Sequence, residues 1–423
     1  METGWYSKLW ARGSESFAGI SPGDFLALVR PKCKQIITED SLRALLSQKK
    51  KLRVKLGTDV TGADLHLGHA VPLMLLRLFQ RAGHEVHFIV GDFTGKIGDP
   101  SGRMDRRLEQ SDAEIRKNMK TYTAQISPLL DIKKAKIHKN STWLSKMPLG
   151  EFLRIVGSAS FGAVAQREDF RMRFKTGSPV SLREANYAAL MAIDSLQVHA
   201  DVEVGALDQL LNFMQTRDIM AGEGLSPETI CVTPLIEGTS GDGRKMSKSF
   251  GNYIALSDTP ENQFGLVMSI PDGLIKSYFV SFGDVYEQEV KELAEFIQSQ
   301  PLEAKKQLGT LVVALLHGDE AARLAREDFE RKFSRKEYKK EDERIVFAKL
   351  PNLVVRAIDA ALRGELSSSE VRRLIKQGAV RKSVDGEFLP VESETETIKD
   401  GDLIKIGKRN ILRFKNGPTS IKT

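Results

Sequence analysis

Residues 52–80 read as a strand, a short loop and a helix, and that unit constrains the fold more than any other stretch. Leu52-Arg53-Val54-Lys55-Leu56-Gly57 alternates as a buried strand does, and Gly57 ends it. Asp59-Val60-Thr61-Gly62-Ala63-Asp64 has the composition of a loop. His66-Leu67-Gly68-His69 follows, then an apolar helical run from Val71 to Phe79 that offers Leu73, Leu76 and Leu78 to a buried side. A strand feeding a helix in this way gathers free backbone N–H groups and the positive end of the helix at one point, which suits a phosphate. Two histidines three apart at the helix start can both reach that point, and Gly68 between them lets a ligand come close to the backbone. Alone the tetrapeptide decides little, because short motifs recur by chance and paired histidines are common on surfaces and in cores.

A second phosphate-handling stretch lies far along the chain. Gly243-Arg244-Lys245-Met246-Ser247-Lys248-Ser249 is a cationic loop between the apolar segment 230–236 and Phe250-Gly251-Asn252-Tyr253-Ile254. Lysines in loops are mostly solvated charge, but two mobile lysines can stabilise the charge that grows on departing pyrophosphate. The order of the two motifs, each preceded by a strand-like segment, resembles the paired signatures of the class I aminoacyl-tRNA synthetases. His66-Leu67-Gly68-His69 corresponds to the first and Lys245-Met246-Ser247-Lys248-Ser249 to the second.

Between them, Glu85 to Gly91 reads as a second buried strand, and the turn from Gly91 to Arg103 carries four glycines and Pro100, as backbone held close to a ligand would. Arg103, Arg106 and Arg107 follow within reach of a phosphate. Ser111-Asp112-Ala113-Glu114 is a capping box opening a helix to Leu130. The basic run from Arg167 to Lys175 reads as a solvated face. A helix over 181–200 puts Tyr187, Met191 and Asp194 on one face, where a lone carboxylate is costly unless it binds something. Val202 to Gly205 is a strand, and Leu207 onward starts the next helix. This alternation predicts an α/β fold with a doubly wound, parallel, Rossmann-like sheet.

With 423 residues the chain has length for two or three domains. The boundaries expected are a catalytic domain over 1–257, a helical anticodon-binding domain with linker over 258–348, and an α+β module over 349–423. In the last, helices over 354–363 and 368–376 put Arg372, Arg373 and Lys376 on exposed positions, and the hairpin 400–409 carries Lys408 and Arg409 at its tip. This segment resembles an S4-type RNA-binding module, and the formal charge of +7 suits a polyanionic partner. Cys33 and Cys231 are the only cysteines, which excludes a disulfide framework and a Cys-based zinc site, and no histidine outside His66 and His69 has metal-ligand spacing. No apolar run approaches the ~20 residues needed to span a bilayer, and the N-terminus has no secretory pattern. A cytoplasmic protein without membrane contact is expected.

Over nearly its whole length the chain resembles the bacterial tyrosyl-tRNA synthetases. The resemblance implies attack of an amino-acid carboxylate on the α-phosphate of ATP, accompanied by Mg2+, and passage of the adenylate to tRNA by a homodimer. It places Thr61, His66 and His69 on the triphosphate, Lys245 and Lys248 on pyrophosphate, and Arg103 and Arg107 on a loop closing over it. Asp208 and the backbone at Ala206 would hold the ribose, with Gly57, Asp59, Gly68, Gly205 and Met246 also at the nucleotide. Lys55 and Met191 fall in the amino-acid pocket; Asp99, Tyr187 and Gln209 would orient the amino and carboxylate groups of tyrosine, and Asp194 would accept from its phenol. The chain departs from the family at Val60, usually Pro; at Met191, usually Gln; at Ile193, usually Tyr; and at Ala206-Leu207, usually Gly-Ser or Gly-Thr. The phosphate machinery is intact and the amino-acid pocket is altered, so a paralogue activating another amino acid, or using an acceptor other than tRNA, is the alternative reading. A catalytically dead RNA-binding scaffold is the third, and the retained histidines and lysines argue against it.

Overall fold

The computed structural model describes residues 4–48, 51–60, 64–101, 111–335, 343–362, 366–384, 387–407, 410–417 and 420–422. Six strands form the first sheet: β1 (Gln35–Ile37), β2 (Arg53–Asp59), β3 (Glu85–Gly91), β4 (Lys136–Lys139), β5 (Val202–Ala206) and β6 (Thr229–Thr233). Their order is β1-β6-β5-β2-β3-β4. From β6 to β4 every neighbouring pair is parallel, and β1 alone runs antiparallel on the edge. Chain direction across the sheet reverses between β2 and β5, so the crevice outside their carboxyl ends is where an open α/β sheet receives its ligand. The inner strands β2, β3, β5 and β6 are largely buried and rich in Val, Ile and Leu, as parallel strands covered on both faces require.

The strand and the helix expected over 52–80 both form, but β2 runs on through Gly57 to Asp59 instead of ending at Gly57. β2 leads into helix α1 (Leu67–Arg81), on which Leu73, Leu76 and Leu78 are all buried. Helix α2 (Asp112–Ile126) has the Ser111–Glu114 capping box at its start. The single helix expected over 181–200 is instead two pieces. A turn at Leu182–Ala185, capped by Ser181, stops at Asn186 (φ −89°, ψ 0°), and α3 (Tyr187–Val198) begins afresh. Helix α4 (Leu210–Gly222) follows β5.

The basic run from Arg167 to Lys175 is not a solvated face. Arg167 and Arg173 are 5% and 1% exposed, while Arg171 and Lys175 between and beyond them face water. Arg167 pairs with Asp169 at 2.9 Å and Arg173 with Glu184 at 3.0 Å. Burial of a guanidinium is tolerated only with a carboxylate and further acceptors in place, and here both are supplied.

The chain divides into two compact units, Met1–Arg326 and Glu327–Thr423. In the first, the helices after the sheet bury Ile275, Tyr278, Phe279, Leu308 and Leu311 in the same apolar cluster as Val54 of β2 and Leu75 of α1. In the second, Glu343–Ala348, within the stretch read as linker, is a strand of a six-stranded sheet and pairs in parallel with Asn410–Asn416. Helices α5 (Val354–Ala361) and α6 (Ser368–Lys376) cover this sheet through Ile358 and Val371, packed with Val346, Ile404 and Phe414. No helix among the described residues is long and apolar enough to cross a membrane.

Candidate active site

The two signature motifs, separated by most of the first unit's sequence, meet at the start of α1. Leu67 N–H donates to the Ile254 carbonyl at 3.0 Å, Leu256 N–H donates to the Leu65 carbonyl at 2.9 Å, and His66 bridges Ala255. His66 is the N-cap of α1, its Nδ1 accepting from Gly68 N–H at 3.1 Å, while His69 Nδ1 accepts from His66 N–H at 3.3 Å. With both Nδ1 atoms acting as acceptors, each ring carries its proton on Nε2. Burial is the largest cause holding His66 down to about 2 and His69 to about 4, with the nearby lysine charges adding to it. Both are therefore neutral N–H donors at neutral pH. Gly68 is required here: a Cβ would lie 2.9 Å from the His66 ring and 3.8 Å from Met246 Cβ.

Met246 is buried and its N–H donates to the Ile236 carbonyl at 2.8 Å, which pins the lysine loop in its middle. Lys245 reaches Asp208 at 2.9 Å, and Lys248 opens a short turn capped by Ser247. Asp208 and Gln209 lie in the turn joining β5 to α4, at the carboxyl end of β5. Gly205, the strand residue before Ala206, cannot carry a side chain because a Cβ would meet the Phe213 ring at 2.3 Å. Gly57 lies in β2 opposite Ile89.

The expected amino-acid residues form two groups, one around Asp59 and Asp194 and one at Asp99 and Gln209. Tyr187 donates its hydroxyl to Asp59 Oδ2 at 3.1 Å, and Thr94 donates to Asp59 Oδ1 at 2.7 Å. Asp59 thus holds Tyr187 in place, and Gly91 leaves the room, since a Cβ there would sit 2.2 Å from Asp59 Oδ1. Asp194, 5% exposed, accepts from Asn140 Nδ2 at 3.1 Å and from Trp143 Nε1 at 2.8 Å. Burial pushes its carboxyl up to about 7 against the pull of Lys55 and these two donors. Asp99 accepts from Gln209 Nε2 at 2.6 Å and from Ser101 N–H at 2.9 Å.

Lys55 is a correction to the expected pocket. At 1% exposure its ammonium is enclosed by Glu203 at 2.7 Å, Ser195 Oγ at 2.6 Å and the Met191 carbonyl at 3.3 Å. Lys55 and Glu203 face one another in the register of β2 and β5, which makes the pair a consequence of strand pairing. Glu228 joins them through Ser195, and burial together with Glu203 raises its carboxyl well above the ordinary range. Met191 and Leu207, two of the departures, pack in one apolar cluster with Phe213, Ile230 and Val232. Ile193 is fully buried. Thr61, Arg103, Arg106 and Arg107 lie outside the described residues, as do Lys408 and Arg409. Arg372, Arg373 and Lys376 are exposed on α6, with Arg372 3.2 Å and Lys376 3.7 Å from Glu394.

Sequence reasoning passed over Asn140, Trp143, Thr94 and Asn212, since single polar residues in unremarkable segments carry no spacing signal. Asp194 itself was the only pointer, because a buried carboxylate demands donors.

The model of class I tRNA synthetases (W and Y) matches residues 47–334. The tyrosine–tRNA ligase of Symbiobacterium thermophilum is 39% identical over 387 residues, covering 89% of this chain and 94% of that protein. That of Aquifex aeolicus is 37% identical over 401 residues, covering 94% and 100%. The chain belongs to the tyrosyl-tRNA synthetases. Solved structures agree in fold: a mitochondrial tyrosyl-tRNA synthetase of Coccidioides posadasii, C-terminally truncated, superposes with a TM-score of 0.60 at 23% identity over 76% of this chain and 94% of that one. The tyrosyl-tRNA synthetase of Archaeoglobus fulgidus, solved with L-tyrosine, gives 0.57 at 23% identity over 72% and 99%. Within this tyrosyl-tRNA synthetase the crevice between β2 and β5 is therefore the candidate active site.

Proposed function

We infer that the chain is a working tyrosine–tRNA ligase, forming tyrosyl-adenylate from tyrosine and ATP and transferring the tyrosyl group to the 3′ end of its tRNA. The observation that carries the reading is the backbone-bonded meeting of His66-Leu67-Gly68-His69 with the segment that follows Lys245-Met246-Ser247-Lys248-Ser249. Neutral His66 and His69 offer Nε2–H to triphosphate oxygens at the positive end of α1, and Lys245 and Lys248 take up the charge developing on pyrophosphate. Thr61, Arg103 and Arg107 are proposed to add to this phosphate grip. Asp208 and the Ala206 backbone receive the ribose, with Gly57, Gly205 and Met246 shaping the approach. Asp99, Tyr187 and Gln209 receive the amino and carboxylate groups, and Asp194, supported by Asn140 and Trp143, receives the phenol. Magnesium is proposed to enter with the nucleotide, as is usual for phosphate substrates.

Arg372, Arg373 and Lys376 on α6, with Lys408 and Arg409, are proposed to bind tRNA phosphates. A homodimer is proposed from the apolar groove of about 390 Å³ lined by Phe93, Ile97, Leu144, Met147, Leu149 and Phe152. Leu149 and Leu153, four apart on one helix, are 71% and 58% exposed beside it, and an apolar surface of this kind marks an interface. Sedimentation of Leu149→Glu should show a monomer; an unchanged mass would remove this surface from consideration.

The test of the activity is ATP–pyrophosphate exchange with each of the twenty amino acids. Exchange with tyrosine alone is expected. Exchange with another amino acid instead would make Met191 and Ala206 specificity determinants of a paralogue.

A further inference from the structure

Arg167 lies outside the residues named so far for substrate, yet its guanidinium reaches toward the Asp99–Gln209 pair. Its Nε and Nη2 pair with Asp169 at 3.2 and 2.9 Å, its Nη2 donates to Ser101 Oγ at 3.2 Å, and its Nη1 donates to Asn212 Oδ1. Asn212 is fully buried. Its Nδ2 lies 2.9 Å from Gln209 Oε1, 3.1 Å from Ser101 Oγ and 3.4 Å from Asp99 Oδ1. Gln209 in turn gives its Nε2 to Asp99 Oδ2 at 2.6 Å.

These contacts have only one consistent direction. A side-chain amide presents an acceptor at one end and donors at the other. If Asn212 were reversed, its NH2 would face the guanidinium and its oxygen would face Gln209 Oε1 and the Asp99 carboxylate. Arg167 is always charged and has no acceptor, so it forces the Asn212 oxygen toward itself. That choice fixes Gln209, whose oxygen must then face Asn212 and whose NH2 must face Asp99. Such chains polarise in one sense and strengthen one another in a low-dielectric interior.

We propose that Arg167, acting through Asn212, is a positioning residue for amino-group recognition: it sets the amide direction that holds the Asp99 carboxylate toward the α-ammonium of the substrate. The proposal rests on the reading of Asp99 as the ammonium's partner.

The test uses ATP–pyrophosphate exchange by the full chain, with two tyrosine analogues as competitive inhibitors. Tyramine keeps the ammonium and lacks the carboxylate; 3-(4-hydroxyphenyl)propanoate keeps the carboxylate and lacks the ammonium. Arg167→Met should raise KM for tyrosine and Ki for tyramine by about 10- to 100-fold, with kcat and Ki for the propanoate changed less than about threefold. Arg167→Lys should recover part of the loss, since it restores a charge without the fork. Asn212→Asp keeps a partner for Arg167 but turns an acceptor on Asp99 and Gln209, so it should give the same split and decides the matter if Arg167→Met does not fold. Equal weakening of tyramine and the propanoate in these variants would overturn the proposal and leave Arg167 as scaffold. Asp99→Asn separates the two layers: if it fails to discriminate the analogues, the ammonium reading of Asp99 falls, and the proposal with it.

Discussion

Asp194 shows how much a single buried carboxylate can decide. Its carboxyl, raised to about 7 chiefly by burial, takes up a proton in the folded state that it would release near pH 4 when unfolded. The sign follows from linkage: a raised native pKa contributes stability that is fully present at low pH and is lost as pH rises through about 7. Asp194→Asn should therefore flatten the profile, gaining roughly 2–4 kcal/mol relative to the parent between pH 5 and pH 8 in urea titrations. The same ionisation serves binding in the opposite sense. A phenol O–H needs an acceptor, so kcat/KM for tyrosine should climb across pH 6–8; a flat profile would take Asp194 out of phenol recognition. Lys248→Ala makes the complementary case at the phosphates. Because its contact strengthens as pyrophosphate leaves, kcat for exchange should fall by about a hundredfold while KM for ATP changes little. A change confined to KM would assign Lys248 to ground-state binding alone. His66, His69 and the two lysines were legible in the sequence because their chemistry is local to short motifs. Asn140 and Trp143 were not, because their role exists only where β4's exit meets α3.

Packing between elements explains two of the departures from the family together. Met191 on α3 and Leu207 in the turn after β5 fill one apolar cluster with Phe213, Ile230 and Val232. Both positions are half-buried against hydrophobic partners, where a polar side chain left unpaired costs up to about 1–3 kcal/mol. Met191→Gln alone should therefore destabilise the protein by about that amount without improving KM for tyrosine, whereas Met191→Gln with Leu207→Thr should recover part of the loss. A double-mutant cycle by thermal or urea unfolding measures the coupling; additive effects would show that the two positions drifted independently. The same scale exposes the misreading of the 167–175 run. Charge density along a sequence says nothing of where the countercharges are. Glu184 sits on the next short helix and Asn212 on α4, so both buried arginines find acceptors that local sequence does not advertise. Lys55 likewise reads as a pocket residue until β5 is placed beside β2, when Glu203 falls opposite it.

At the scale of the whole chain, the alternation of strands and helices was enough to give the parallel sheet, while its strand order, and with it the switch point and the crevice, emerges only in the fold. Long-range pairing was harder to see. The strand Glu343–Ala348 pairs with Asn410–Asn416 on one side and Ser420–Lys422 on the other, a closure across the entire second unit that no local pattern announces. Its place in that sheet determines where the chain can be cut. A chain ending at residue 349 keeps this strand without either neighbour, leaving Val346 and Ala348, both buried in the intact unit, with open backbone edges and exposed apolar surface. A chain ending at residue 326 removes the second unit as a whole and leaves the core shared by α1, β2 and the helices through Arg326. The shorter chain should retain tyrosine-dependent exchange within a few-fold and lose most aminoacylation of tRNA, while the longer one, with the same catalytic residues, should aggregate more readily in light scattering. Equal loss of exchange and aminoacylation in the shorter chain would mean that the second unit supports catalysis itself; equal retention of both would mean that tRNA is held by the first unit alone.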